Sequence, residues 1–525
     1  MKKLAFAVSL LLLSSACMAV EANTPRGKAW WADIEAIASD KTEGRLPGSR
    51  GYDLAADHVI ARFEALGLAP AGVAGGLAQP VAFEEQIVDH VASSGALLTA
   101  AGSTPVAMGT DMLIGPGGGP RPAKVDAPLV FIGYGLKLPG YDDFAGVDLK
   151  DKIAVVISGG PDKYPGPMKA SNRSDRTRFL RDAGAVGVIS LVTPAQVEIP
   201  WNRRTLLASQ SGMYLADSAL REAPDGFFTA AVDPAHSEML FNKSGHSFVE
   251  IAALADASKP VPGFDLNQRL QASIAATRSP VISKNLVARL EGADPKLKGE
   301  VVIVSAHLDH LGVGKPINGD TIYNGAMDDA SGVASVLDIA EQLKGGPRPK
   351  RSVVFLIVTA EEKGLLGSHY YAQRPTVARD AIVANLNFDM PLPLWPLKLV
   401  LVQGDGESTL GDVARSVAGA QGLALTPDPL PDRNSFTRTD QYSFVRAGIP
   451  ALAFKFGFVK GTPEFDIEHD WRANRYHAPD DDLMQSGVLA DEAVKLNDFV
   501  TAIARKVANA PARPAWLATS VFKPK

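Results

Sequence analysis

The segment SVVFLIVTAEEKGLLGS runs from Ser352 to Ser368. Its first half is apolar and rich in β-branched residues. Such a run, without polar alternation, reads as a strand buried on both faces, the texture of a parallel sheet. It ends on two adjacent carboxylates, Glu361 and Glu362. Alone, such a pair reads as a solvated surface feature. Its place at the end of the most apolar segment raises the question of what the two side chains meet there.

The rest of the chain's second half repeats the pattern. From about residue 282, strand-like runs alternate with helical ones: VVIVSA (301–306), SGVASVLDIAEQLKG (331–345), SVVFLIVTA (352–360), AIVANLNFDM (381–390), KLVLVQG (398–404), LGDVARSVAGAQG (410–422), ALAFKFG (451–457) and a last helix over about 485–508. Apolar strands alternating with helices predict an α/β fold with a mostly parallel mixed sheet and helices on both faces. Ligands in such sheets sit beyond the carboxyl ends of the strands. There the sequence places His307-Leu-Asp309-His310 after VVIVSA, Glu361 and Glu362 after SVVFLIVTA, and Asp389 after AIVANLNF. Asp328 and Asp329 precede the helix at 331, and His477 lies in the polar loop RYHAPDD. Each motif alone has a plain structural reading: a polar strand exit, a surface pair, a helix cap. Their joint concentration at strand ends in one half of the chain points to a metal centre. Of the remaining polar residues, His310, His369 and His469 read as structural or exposed. Asp480 to Asp482 read as capping or preceding the last helix, and Asp440 is left without a role.

The chain has 525 residues, enough for two to four domains, with 46% hydrophobic and 21% charged residues. A net charge of −5 and a pI of about 6.0 give no electrostatic case for a nucleic-acid partner or an anionic membrane surface. Lys2 and Lys3 followed by LAFAVSLLLL and small residues predict a signal peptide over 1–22, with Val20-Glu21-Ala22 at the cleavage site. The expectation is therefore a periplasmic or secreted protein. Lipid anchoring at Cys17, the only cysteine, is the alternative, but Ser14 stands where a lipobox favours a larger aliphatic residue. No later stretch is apolar for long enough to span a bilayer.

The first part of the chain carries KAWWADIEAIASD and, after the loop EGRLPGSRG, a second helical pattern. GPGGGPRPA (115–123) is a breaker cluster and a candidate boundary. Beyond it APLVFIGYGL, KIAVVISGG and VGVISLV read as short strands with RSDRTRFLRDAGA as a helix between them. The predicted division is 23–118 with 275–525 as one discontinuous domain and 119–274 as an insert.

The ordered set HLDH, MDDASG, TAEEKGLLGS, NFDM and YHAPDD resembles the co-catalytic zinc peptidases that include secreted bacterial aminopeptidases and glutamate carboxypeptidases. EGRLPGSRG is similar to that family's opening, and the middle block with GVDLKDKIAVVISGGP resembles a protease-associated domain. The resemblance implies a zinc-exopeptidase-like fold and two Zn²⁺ per chain, with Mn²⁺ or Co²⁺ as substitutes that carboxylates also suit. It implies that His307 and Asp389 bind one ion, that Glu362 and His477 bind the other, and that Asp328 bridges them. Asp309 would orient His307, and Glu361 would act as general base. Tyr476 would donate to a developing oxyanion as in some members, or else be a packing aromatic. Three ligand carboxylates and a bridging hydroxide balance two dications, as a partly buried site requires. The implied activity is an aminopeptidase acting on peptides. Alternatives on the same fold are a carboxypeptidase using Arg433, Arg438, Arg472 or Arg475 against a substrate carboxylate, a glutaminyl cyclase, and a receptor-like relative without catalysis. Oligomeric state is left open.

Overall fold

The computed structural model describes residues 20–115, 118–433 and 435–524. Most of the expected signal segment, Cys17 included, lies outside the described residues. Among those that are described, no helix is long and apolar enough to cross a membrane.

Three seven-residue strands, Val301–His307, Ser352–Val358 and Ile382–Phe388, are buried at every position. Val301–His307 pairs in parallel with both of the others. Successive side chains of a strand point to opposite faces, and two cores divide them accordingly. Val302, Val304, Ala306, Val353, Phe355 and Ile357 pack with the helices Pro25–Ile37, Arg50–Ala65, Ser331–Gly345 and Ala490–Asn509. Val301, Ile303, Val354, Leu356 and Val358 face the helices Leu366–Gln373 and Gln441–Arg446. Truncating such a side chain to Ala costs about 2–5 kcal/mol, so the strand ends are held firmly. Ile382–Phe388 also pairs in parallel with Ala451–Phe456, and Leu399–Gln403 then joins antiparallel, which makes the sheet mixed.

The 27-residue strand Phe264–Leu290 joins this sheet to a second layer. Its Leu286–Leu290 end is antiparallel to Ser352–Val358, and its Phe264–Ser273 end is antiparallel to Lys124–Phe131. From there Lys124–Phe131, Ile153–Ile157, Gly187–Leu191 and Phe228–Val232 follow one another in parallel. These strands have their own hydrophobic core, drawing on residues from Val88 to Ile274. The block ending near residue 275 in the sequence pattern is thus followed by no break in the chain's regular structure; one strand runs through it.

The last helix begins at Ala490 rather than near 485, because Asp481 and Gln485 are engaged elsewhere.

Candidate metal centre

Parallel neighbours present their carboxyl ends at one edge of the sheet. His307 ends the central strand, Glu361 and Glu362 follow one flanking strand by way of Thr359 and Ala360, and Asp389 directly follows the other. Asp328 comes from the turn before the helix Ser331–Gly345, and His477 from the turn after the helix Pro463–Asn474. Ala360 (φ 56°), Met390 (φ 53°) and His477 (φ 53°) adopt left-handed backbone conformations without being glycine. Each costs roughly 1–3 kcal/mol and persists only where the surroundings impose it; here each is, or directly adjoins, a residue of the centre.

The geometry converges on Asp328. Its Oδ1 is 3.3 Å from His307 Nε2, and its Oδ2 is 3.4 Å from His477 Nε2. Asp389 Oδ2 lies 4.0 Å from His307 Nε2, and Glu362 Oε2 lies 3.1 Å from His477 Nε2. One carboxylate therefore faces two imidazoles, each with a further carboxylate beside it. The ligand atoms of His307, Asp328 and Asp389 lie within 4.8 Å of one another. His307 Nε2 and Glu362 Oε1 are buried and, among the described residues, meet no partner in good hydrogen-bond geometry, although Asp328 Oδ1 lies 3.3 Å from the first and His310 Nδ1 2.8 Å from the second. Buried polar atoms are rarely left so, and mixed imidazole and carboxylate donors fit Zn²⁺ and related dications.

A second rank of buried residues fixes these side chains. His307 Nδ1 is 3.1 Å from the main-chain carbonyl of Asp309 and 3.9 Å from its carboxylate Oδ1. The Asp309 carboxylate accepts from the backbone amides of Glu361 (3.1 Å) and Glu362 (3.3 Å), so it sets the glutamate pair as well. Asp329 caps the following helix at Gly332 N (3.1 Å), as an Asp there should, and also accepts from Met390 N (3.0 Å). Asp481 does not cap the last helix. It is fully buried and accepts from Met327 N (2.9 Å) and Asp328 N (3.0 Å). Arg45, from EGRLPGSRG, is fully buried and donates to the carbonyls of Leu308 (2.6 Å), Gly325 (3.0 Å) and Asn324.

His310 corrects a sequence expectation. It is fully buried, and its Nδ1 stands 2.8 Å from Glu362 Oε1. With Asp328 and Glu362 it forms a second group whose ligand atoms lie within 4.8 Å. Its position three residues after His307 at a strand exit was the available signal. His369 lines the cleft beside the centre, whereas His469 is exposed.

The electrostatics follow from crowding carboxylates out of water. Burial opposes the His307 imidazolium, but Glu361, Asp328 and Asp329 outweigh it and raise its pKa well above the ordinary value. Burial likewise opposes His477, yet Glu362 and Asp328 raise it to about 9. Burial would raise Asp328, but hydrogen bonds from His307 and His477 carry it well below the carboxylate range. Glu361 goes the other way: burial, reinforced by Asp389, Asp440 and Glu362, raises it strongly. Asp309 is raised to about 6 by burial. The two adjacent glutamates thus differ: Glu362 is held ionised opposite histidines, and Glu361 binds a proton avidly.

The centre opens into a cleft of about 380 Å³ lined by Asp328, Glu361, Glu362, Asp389, Tyr476 and His477. The Tyr476 ring stacks on His477 with centroids 3.9 Å apart, and the Arg472 guanidinium lies 4.6 Å from the tyrosine ring centroid. Arg433, Arg438, Lys455 and Arg472 also line the cleft, and Lys455 Nζ is 3.4 Å from Asp389. Arg475 is not among the lining residues.

Buried imidazole and carboxylate groups at adjacent strand ends of a mixed α/β sheet make an arrangement that could hold divalent metal ions. Residues 285–500 match the model of peptidase family M28. Among curated proteins the chain is 30% identical over 236 residues to the probable leucine aminopeptidase 2 of Aspergillus oryzae, covering 42% of this chain and 43% of that one. It is 28% identical over 212 residues to aminopeptidase YwaD of Bacillus subtilis, covering 39% of this chain and 40% of that one. These matches span less than half the length of those relatives. Among solved structures, the aminopeptidase from Aneurinibacillus sp. strain AM-1 superposes over 95% of this chain and 96% of its own, with a TM-score of 0.54 at 19% identity, a likeness of fold.

Proposed function

We propose that the chain is a dinuclear, metal-dependent exopeptidase that removes N-terminal residues from peptides outside the cytoplasm. The observation that carries this reading is Asp328, with one oxygen toward His307 and the other toward His477. His307 and Asp389 would hold one ion, Glu362 and His477 the other, and Asp328 both. His310 sits close enough to Glu362 to compete for it or to join its group. Two such ions, zinc or a related dication, would supply an acidified water and Lewis-acid polarisation of the scissile carbonyl. This chain's own residues do the rest. Asp309 holds the backbone of both glutamates so that Glu361 faces the cleft. Two dications beside it would favour its carboxylate form, and Glu361 would then take a proton from the attacking water and pass it to the leaving amine. Tyr476, which lines the cleft and stacks on His477, would donate to the developing oxyanion.

The second core, with residues 119–274 at its centre, is read as a protease-associated insert; the same core also takes in upstream residues such as Val88 and Leu97. Export is read from the first 22 residues.

The test combines metal counting with a substrate panel. The purified protein should carry about two transition-metal ions and cleave aminoacyl anilides, with activity lost on chelation and regained with Zn²⁺. Full activity with less than about one ion per chain sinks the reading. A second reading has its own observation: Arg433, Arg438, Lys455 and Arg472 line the cleft, and such cations suit a substrate carboxylate. Cleavage of N-blocked dipeptides in preference to C-blocked ones would favour a carboxypeptidase.

A further inference from the structure

The loop that carries His477 is gripped from the second layer. Arg203 belongs to the short helix Trp201–Leu207, which lies between Gly187–Leu191 and Phe228–Val232 in the chain. Its guanidinium donates through Nη1 to the carbonyl of Ala473 and through Nη2 to the carbonyl of Tyr476. Ala473 lies in the last turn of the helix Pro463–Asn474, where carbonyls lack intrahelical partners and the helix dipole favours a cation. The Tyr476 carbonyl belongs to the peptide plane that leads directly into His477, the residue held at φ 53°. Five residues earlier, Glu198 pairs with Arg438 at 3.2 Å, and Arg438 lines the cleft. One six-residue stretch of the second layer therefore reaches both the metal-ligand loop and the cleft wall.

We propose that Arg203 is a positioning residue for the metal centre: it holds the Tyr476–His477 peptide plane in the left-handed turn that aims the His477 imidazole at Asp328 and Glu362. The physical case is one of strain and support. A non-glycine residue in the left-handed region reverts to an ordinary turn unless something holds its flanking peptides. The local chain supplies little here: the Tyr476 amide reaches back to Trp471 O at 3.3 Å, and Ala478 N bonds to Arg475 O at 3.0 Å. The charge-assisted clamp from Arg203 is the contact that fixes the carbonyl side of this plane. It makes the second layer part of the metal site rather than a neighbour of it.

This inference rests on the dinuclear reading, and the test separates the two. Metal-free protein is titrated with Zn²⁺ against a chelating indicator, for the unsubstituted chain and for Arg203→Ala, Arg203→Lys and Glu198→Gln. The unsubstituted chain should take up two equivalents; failure to do so overturns the dinuclear reading and this inference with it. In Arg203→Ala one equivalent should weaken by at least about tenfold, the usual scale for a lost supporting contact, while the other holds. In the same variant kcat should fall more than KM rises. Arg203→Lys, which keeps a cation but not the fork, should recover part of the lost affinity, and it also serves if the alanine variant does not fold. Glu198→Gln breaks the neighbouring ion pair without touching either carbonyl, and should leave both zinc affinities as they were. Two unchanged affinities in Arg203→Ala, equal weakening of both, or the same weakening in Glu198→Gln would each overturn the proposal.

Discussion

At the scale of single residues, the adjacent glutamates are divided by environment alone. Glu362 faces His477 at 3.1 Å and His310 at 2.8 Å, while burial and the nearby Asp389, Asp440 and Glu362 raise the pKa of Glu361 above the ordinary value. Glu361→Ala should cut turnover about 10²–10⁴-fold with both metals retained, and Glu362→Ala should lose metal as well as activity. Metal analysis of the two purified variants checks this, and equal metal loss in both would refute the division of roles. Asp440 offers a separate test. It is buried with neither carboxylate oxygen bonded among the described residues, and burial raises its pKa to about 7. A folded-state pKa above the unfolded one, near 3.9, means that the stability contributed by the neutral acid is full below about pH 4 and is lost as pH rises through about 7. In metal-free protein, Asp440→Asn should therefore gain stability over the unsubstituted chain at pH 8 more than at pH 5, measured by urea denaturation. Both residues were visible in the sequence, yet only the glutamates attracted a role. Asp440 sits in RTDQYSF, and nothing in that spacing shows how deeply it is buried.

Among the elements, the turn at 324–329 concentrates the supporting contacts. Gly325 has φ 62°, and a Cβ there would stand 2.2 Å from Asp328 O and 2.5 Å from His310 Cγ. Gly325→Ala should destabilise the fold by about 1–3 kcal/mol through overpacking and weaken metal uptake, because the displaced atoms belong to the centre. Thermal unfolding with and without Zn²⁺ reads both effects. Arg45 ties this turn to the exit of the central strand through three carbonyls. Arg45→Met removes the donor from the Leu308 and Asn324 carbonyls, each costing about 1–3 kcal/mol, and leaves Gly325 O only the Ala330 amide at 3.3 Å. The variant should accumulate as insoluble protein or unfold at markedly lower denaturant concentration. The sequence located EGRLPGSRG as a loop but could not show that its arginine points inward, since the carbonyls it serves lie 263 to 280 positions away.

Over the whole molecule, Phe264–Leu290 and its antiparallel partner Ala78–Thr99 run through both layers, and both layers line one cleft, so metal binding should be felt by the global fold. A ligand at a thousand times its dissociation constant stabilises by about 4 kcal/mol. Saturating Zn²⁺ should raise the unfolding temperature of chelated protein by several degrees and should fail to do so for Glu362→Ala. The long strand was not legible as one element. Its Phe264–Ile274 half alternates buried and exposed positions, its middle is exposed, and its last residues are buried on both faces. Three textures in succession read as a boundary, because each is set by a different neighbour strand that local sequence does not name.

Sequence alone therefore determined the α/β alternation and the candidate ligands. Both depend on local composition: uninterrupted apolar strands bury themselves, and carboxylates and imidazoles at their ends are placed by the chain's own direction. The tertiary structure alone decided which atoms share a space. It set Asp328 between two histidines, turned His310 and Asp481 inward, and brought Arg203 to a carbonyl 273 positions distant. The first three join strand ends and turns around one sheet edge, the last crosses from the second layer, and no periodicity in the chain encodes any of them.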